Sequence, residues 1–438
     1  MGEWIGAAEA AQRLGVKQAT LYAYVSRGML ARRRGEDGRS SLFDADEVTR
    51  LTEKGQPRRA AGTGDFVIES GLTEVADGRF RYRGMEVTKL ALWRPFEEVA
   101  GWLWTGSFGK PGGPGHAPER DPATQPWQAT PEALAAGTGA QAALPDATLP
   151  LERLRVIVPA MAATDLLRLH LDPPAVVAAG RNIIAGMVDC LPDPSAGASA
   201  SASGPSRLAE GGIAGRFWYR ICPKRPDPGL LGALRAAMAL LADHELAAST
   251  FAARMAASVR ADPYAVVATG LGALGTNRQC GGASLGAETM LAAIRDPADA
   301  VRAVGDLLRR GERIPGFGGS GGEPDPRAKT LLDLVKKAAP RSTRYAVAAA
   351  VLDETRRRAL PEPNVDFALA VLVNVAGMIS GAGEAIFAVA RTAGWIAHAM
   401  EEYAKNVPLR PRTVYVGPAT AASLPGGVRR VPPAPVRA

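Results

Sequence analysis

The sequence predicts a mainly α protein of two or three domains, and three observations carry that expectation. The chain has 438 residues, enough to bury a large core and to divide. Hydrophobic residues make up 47% of it and aromatic residues only 6%, a balance rich in Ala and Leu that favours packed helices. Apolar residues also keep helical spacing over long stretches, as from Leu151 to Cys190. The net charge of +8 permits an anionic partner such as a nucleic acid or a nucleotide. Three cysteines, Cys190, Cys222 and Cys280, stand far apart, so neither a disulfide framework nor a zinc site is indicated and a reducing cytoplasm is expected. The apolar run from Phe367 to Ile379 is shorter than the roughly 20 residues a bilayer needs, so no membrane segment is expected.

Residues 1–54 read as a module of their own. Ala7 to Leu14 gives a short helix ended by Gly15, and Lys17 to Arg27 a second one closed by Gly28. Segments 30–34 and 40–43 can pair as a wing, and Asp44 can cap a third helix. This pattern resembles excisionase-like and MerR-like winged helix-turn-helix modules. The resemblance implies DNA contacts from Lys17, Gln18, Thr20, Tyr22, Tyr24, Arg27 and Arg32. The module holds nine Lys/Arg against eight Asp/Glu between Met1 and Lys54, so any basic character belongs to one face. A retained interaction or dimerisation module is the alternative.

Residues 55–65 have linker composition. From Phe66, short strands and a turn lead through Tyr82-Arg83-Gly84 into a helix. Residues 107–148, rich in Gly, Pro and Ala, read as a solvated loop containing His116, and His170 reads as structural. Residues 192–212 form a Ser/Ala/Gly/Pro tract read as a flexible insertion. Leu240 to Arg254 is read as helical, with His244 between Asp243 and Glu245. The C-terminal stretch carries Asn364-Val365-Asp366 at the mouth of an apolar segment, then Arg391 in Ala390-Arg391-Thr392-Ala393-Gly394-Trp395, then Arg410-Pro411-Arg412 and Tyr415-Val416-Gly417. An acid followed by two arginines suits deprotonation of a carbon acid beside a bound carboxylate.

Together, the Asp-His-Glu segment, the tyrosine-arginine-glycine segment and this C-terminal run resemble the citrate synthase family. The resemblance implies a two-lobed, all-helical fold, with a large lobe over 66–280 and 369–417, a small lobe over 281–368 and a tail over 418–438. It implies a homodimer condensing acetyl-CoA or propionyl-CoA with oxaloacetate, acetyl-CoA being a substrate and no metal or prosthetic group being required. Asp366 would be the base, while His244, Arg391 and Arg410 would hold the keto acid, Arg410 from across the dimer interface.

Two motifs depart from the family. Cys280, before Gly281-Gly282-Ala283, and Gly319, after Gly316-Phe317-Gly318, stand where the family has its catalytic histidines. The second loop is also expected to lack an arginine that in the family helps bind the keto acid. The expectation is therefore a citrate or methylcitrate synthase-type acyltransferase with impaired chemistry. The alternative is a non-catalytic DNA-binding regulator whose degenerate lobe senses a keto acid or acyl-CoA.

Overall fold

Five of the described α-helices begin where a short polar side chain meets a proline. Thr130-Pro131, Asp172-Pro173, Asp227-Pro228, Asp262-Pro263 and Asp325-Pro326 each place a capping oxygen on an early backbone N–H and a proline in the first turn. The proline there lacks only an N–H that the helix would leave unbonded. The computed structural model describes residues 4–14, 25, 30–34, 41–45, 47–48, 68–108, 126–195, 212–275, 282–318 and 324–411. It divides into two units, 1–69 with 410–438, and 70–409.

In the first unit, β1 (Trp4–Gly6) leads into α1 (Ala7–Leu14), and β2 (Arg32–Arg34) and β3 (Ser41–Asp44) follow. The strands form an antiparallel sheet in the order β1-β3-β2. Ile5, Ala10, Ala11, Leu30, Phe43, Ala45 and Val48 make its core. The pairing of 30–34 with 40–43 is present as β2 against β3. The third strand, β1, was not expected, because three residues are too few to display a period of two. Glu47 N–H donates to Asp44 at 3.0 Å, and the Arg33 guanidinium lies 5.2 Å from the Trp4 ring centroid. Arg32 is exposed on β2. Lys17, Gln18, Thr20, Tyr22, Tyr24 and Arg27 lie outside the described residues.

The second unit opens with a small antiparallel sheet, β4 (Thr73–Ala76), β5 (Arg79–Tyr82) and β6 (Met85–Glu86). Helices follow: α2 (Val87–Trp93), α3 (Phe96–Thr105), α4 (Pro131–Ala142), α5 (Pro150–Ala162), α6 (Pro173–Asp189), α7 (Gly212–Ile221) and α8 (Pro228–Leu241). Next come α9 (Ala248–Ser258), α10 (Pro263–Ala273), α11 (Gly282–Ala293), α12 (Ala300–Arg309), α13 (Pro326–Ala338), α14 (Thr343–Arg357), α15 (Val365–Ala376) and α16 (Ala382–Lys405). The mainly α expectation holds. Among the described residues no helix is long and apolar enough to cross a membrane.

The 24-residue α16 is the centre of this unit: every residue from Ala382 to Ala399 is buried. A helix buried all round must meet neighbours on every side, and α3, α5, α6, α8, α9 and α10 all pack on it. Trp104 fixes part of that contact by donating its indole N–H to Ala393 O at 2.9 Å while stacking on Trp127.

Two expectations are corrected here. Residues 131–142 of the supposed loop are helical, because Thr130 accepts from Ala133 N–H and Pro131 opens the first turn. His116 of that stretch lies outside the described residues, and His170 is exposed in a turn. His244 is not helical either: α8 ends at Leu241 and α9 starts at Ala248, with Glu245 in a left-handed conformation at φ +46°.

Candidate active site

The 242–247 turn is held in place by a set of buried polar contacts. The Tyr82 hydroxyl, from β5, accepts from Asp243 N–H at 3.0 Å and lies 3.0 Å and 3.1 Å from the Asp243 and Leu240 carbonyls, to which it can donate. Asp243 Oδ2 accepts from Thr73 Oγ1 at 2.5 Å and from His398 Nε2 at 3.1 Å. His398 Nδ1 faces Arg254 Nη1 at 2.6 Å. A guanidinium has no acceptor, so Nδ1 must accept and the ring proton must sit on Nε2, pointing at Asp243.

Arg254 is itself fully buried and paired with Glu401 and Glu402. Burial works to raise the Asp243 carboxyl, but contact with His398, the charge of Arg391 and the Thr73 hydrogen bond outweigh it and hold the group at about 2. Gly394 N–H donates to Ala242 O at 2.9 Å. A Cβ on Gly394 would overlap the Ala242 carbonyl and Asp243.

His244 follows from this anchoring. Its ring lies 5.2 Å from the Phe80 ring centroid, and its Nδ1 is buried with no hydrogen-bond partner among the described residues. Burial, followed by the charges of Arg327 and Arg391, pushes the imidazole down to about 3, so it is neutral at physiological pH. Arg391, fully buried on α16, donates its Nε–H to Leu241 O at 2.9 Å and lies 4.5 Å from the Phe387 ring centroid.

Arg327, at the end of the loop expected to lack a keto-acid arginine, carries a buried guanidinium. At the start of α13 it is clamped by Asp325 through Nε at 3.0 Å and Nη2 at 2.9 Å. Its guanidinium carbon lies 4.5 Å from the same Phe80 ring that His244 meets, and Nη1 is buried without a hydrogen-bond partner among the described residues. Sequence reasoning missed it because an arginine behind Asp-Pro at a helix start looks like part of a cap. The Asp-Pro pair was nonetheless the usable signal, since a capping carboxylate can also hold a guanidinium.

Asp325 also accepts from Val365 N–H at 3.2 Å, which ties the start of α13 to the start of α15. Asn364 caps α15 by accepting from Asp366 N–H at 3.0 Å, and its own amide donates to Gly318 O at 2.8 Å. Gly316, at φ +80°, packs so closely on α15 that a Cβ would lie 2.7 Å from the Phe367 Cβ. Asp366 is thus buried in the first turn of α15, near enough to Arg327 for its charge to favour the guanidinium.

Asp366, His244 and Arg391 are therefore brought to one region, together with the unanticipated Arg327. Arg410 is exposed and belongs to the first unit. Cys280 and Gly319 lie outside the described residues. Among the described residues no group of His, Cys, Asp and Glu side chains is arranged to hold a metal ion. Two buried cations, a neutral imidazole and a buried carboxylate are the groups this region offers to a bound molecule.

Residues 62–412 match the family model described as citrate synthase, C-terminal domain. Citrate synthase 2 of Bacillus subtilis is 37% identical over 212 residues, 47% of this chain and 56% of that protein. The chain thus spans a little over half of that relative's length. The citrate synthase of Haloferax volcanii is 29% identical over 386 residues, 81% of this chain and 94% of the other. Among solved structures, citrate synthase from Thermotoga maritima superposes with a TM-score of 0.66 at 25% identity, covering 83% of this chain and 96% of that one. The chain belongs to the citrate synthase family.

Proposed function

We propose that this protein condenses a short acyl-CoA, acetyl or propionyl, with oxaloacetate to give citrate or 2-methylcitrate. The observation that carries the reading is the pair of unpartnered buried atoms, His244 Nδ1 and Arg327 Nη1, converging on Phe80. A buried polar atom without a partner costs about 1–3 kcal/mol, and a keto acid satisfies both: its carboxylate accepts from Arg327, while its polar oxygens face His244. Arg391 supplies a further charge, and Arg410, exposed on its own chain, reaches the site of a second subunit in a homodimer. Asp366 removes the acyl α-proton. The site divides between a large lobe carrying His244 and Arg391 and a small lobe carrying Arg327.

The test is oxaloacetate-dependent thiol release from acetyl-CoA and propionyl-CoA. Wild type should release thiol, and Asp366→Ala should reduce the rate by about 100-fold to 10,000-fold. Absence of release from wild type, with oxaloacetate binding still measurable by calorimetry, would overturn the condensing reading.

A second reading rests on Arg32 and Arg33, exposed on the paired strand β2. It makes the first unit a winged helix-turn-helix that binds DNA and the helical unit its ligand sensor. Retention on duplex DNA that weakens with salt and shifts with oxaloacetate is expected for it; salt-independent elution would remove it.

A further inference from the structure

A cavity of about 880 Å³ opens between α5, α11 and α12, lined by Leu151, Arg155, Gly275, Met290, Pro315 and Glu384, among others. Gly275 and Pro315 are notable because each precedes, by five and four residues, one of the two altered positions, Cys280 and Gly319. Glu384 contributes the one acidic side chain of α16 to this wall. It is 5% exposed, and no hydrogen bond or ion pair engages its carboxyl among the described residues.

The reason it lacks partners lies in the first turn of its own helix. A carboxylate at a helix N-terminus is ordinarily stabilised by the free N–H groups there. Here Glu288 of α11 has taken them, accepting from Gly381 N–H at 2.9 Å and Gly383 N–H at 3.0 Å, with Ser284 Oγ at 3.2 Å. Gly383 leaves room for this, since a Cβ there would run into Ser284 and Glu288. Glu384 therefore sits beside an engaged buried carboxyl, facing an open cavity.

We propose that Glu384 is the proton-donating catalytic residue of this site, presenting its carboxyl from the cavity wall to the thioester oxygen in place of the absent histidines. The proposal rests on the condensing reading above. Asp366 takes a proton from the acyl α-carbon, and the C–H electron pair becomes the enolate C=C bond. Glu384 gives its proton to the thioester oxygen, making a neutral enol. The enol carbon attacks the ketone carbon of oxaloacetate. As the thioester carbonyl re-forms, Glu384 recovers its proton and Asp366 delivers the α-proton to the new alkoxide. Water then cleaves the thioester. Protons balance, and no redox partner is needed.

The electrostatic surroundings suit a donor at neutral pH. Burial first, then the charges of Glu288 on α11, Asp366 on α15 and Glu152 on α5, raise Glu384 against the opposing pull of Arg155 on α5, up to about 7.

Thiol release with acetyl-CoA and oxaloacetate, followed from pH 6 to 9, tests the proposal on wild type, Glu384→Gln and Glu384→Asp. Glu384→Gln should lower kcat by about 100-fold to 1000-fold, the usual cost of losing a preorganised donor, with KM for oxaloacetate changed less than about threefold. Wild-type kcat should fall as pH rises through 7, and the Gln variant should lose that limb. Glu384→Asp, which keeps an acid, should retain more activity than Gln and keep the limb. Wild-type kcat in Glu384→Gln, or an unchanged alkaline limb, overturns the proposal and leaves condensation standing. So does loss of calorimetric oxaloacetate binding in both variants, which marks a structural role. An inactive wild type ends both readings.

Discussion

At His244 the ring is kept neutral by burial and by two arginines, and this has a sign that can be measured. Its pKa falls from 6.5 to about 3 on folding, so the unfolded chain binds a proton that the folded chain refuses. Its contribution to stability is full above pH 6.5 and is lost as pH falls toward 3. Glu384, raised from 4.5 to about 7, works oppositely: its stabilising share is full below 4.5 and is lost as pH rises through 7. Over pH 4.5–6.5 the two offset each other. Thermal unfolding of His244→Gln should therefore lose less midpoint than wild type on acidification, and Glu384→Gln should lose more. Arg327→Gln should raise KM for oxaloacetate by roughly 10-fold to 100-fold, the worth of a charge-assisted hydrogen bond, in steady-state assays. Of these residues, His244, Asp366 and Arg391 were legible in the sequence because motifs surround them. Arg327 and Glu384 were not, since Phe80, beside Arg327, and Glu288, beside Glu384, are distant in the chain.

At the scale of elements, helix starts were the under-used signal. Thr130-Pro131-Glu132 marks α4 as plainly as Asp325-Pro326 marks α13, yet the surrounding Gly/Pro/Ala composition made 107–148 read as loop. Composition averages over a window, whereas a cap is a local contact. The turn carrying His244 was misread for the converse reason: Leu240 to Arg254 has helical composition throughout, and it is long-range bonds from Thr73, Tyr82, Gly394 and His398 that anchor the non-helical turn at 242–247. The close approach of α16 to that turn depends on Gly394. Gly394→Ala should push the Ala242 carbonyl and Asp243 away, destabilising the protein by about 1–3 kcal/mol as overpacked cores do. Activity should fall at temperatures where circular dichroism still reports a folded protein.

At the scale of the molecule, the proposed sharing of Arg410 between subunits can be tested by complementation. Arg410→Ala and Asp366→Ala should each be inactive alone. Unfolded and refolded together, they should regain roughly a quarter of wild-type activity, because half of the dimers carry one intact site of two. Activity of mixtures no higher than the separate variants would confine Arg410 to its own chain. The mainly α architecture was visible from composition and spacing, and the family from scattered motifs. The sheet of the first unit was only half visible, because β1 is three residues long and pairs with a strand far along the chain. Asp325 has one more consequence. Since a single carboxylate grips Arg327 and the first N–H of α15, the group proposed to hold the acceptor and the base proposed to activate the donor are tied into one piece. A hinge elsewhere can bring that piece toward His244 and Arg391, but it cannot change the spacing between grip and base. Substrate fit would then be judged by the approach of the piece as a whole, so an acceptor of the wrong length fails to seat before any proton moves.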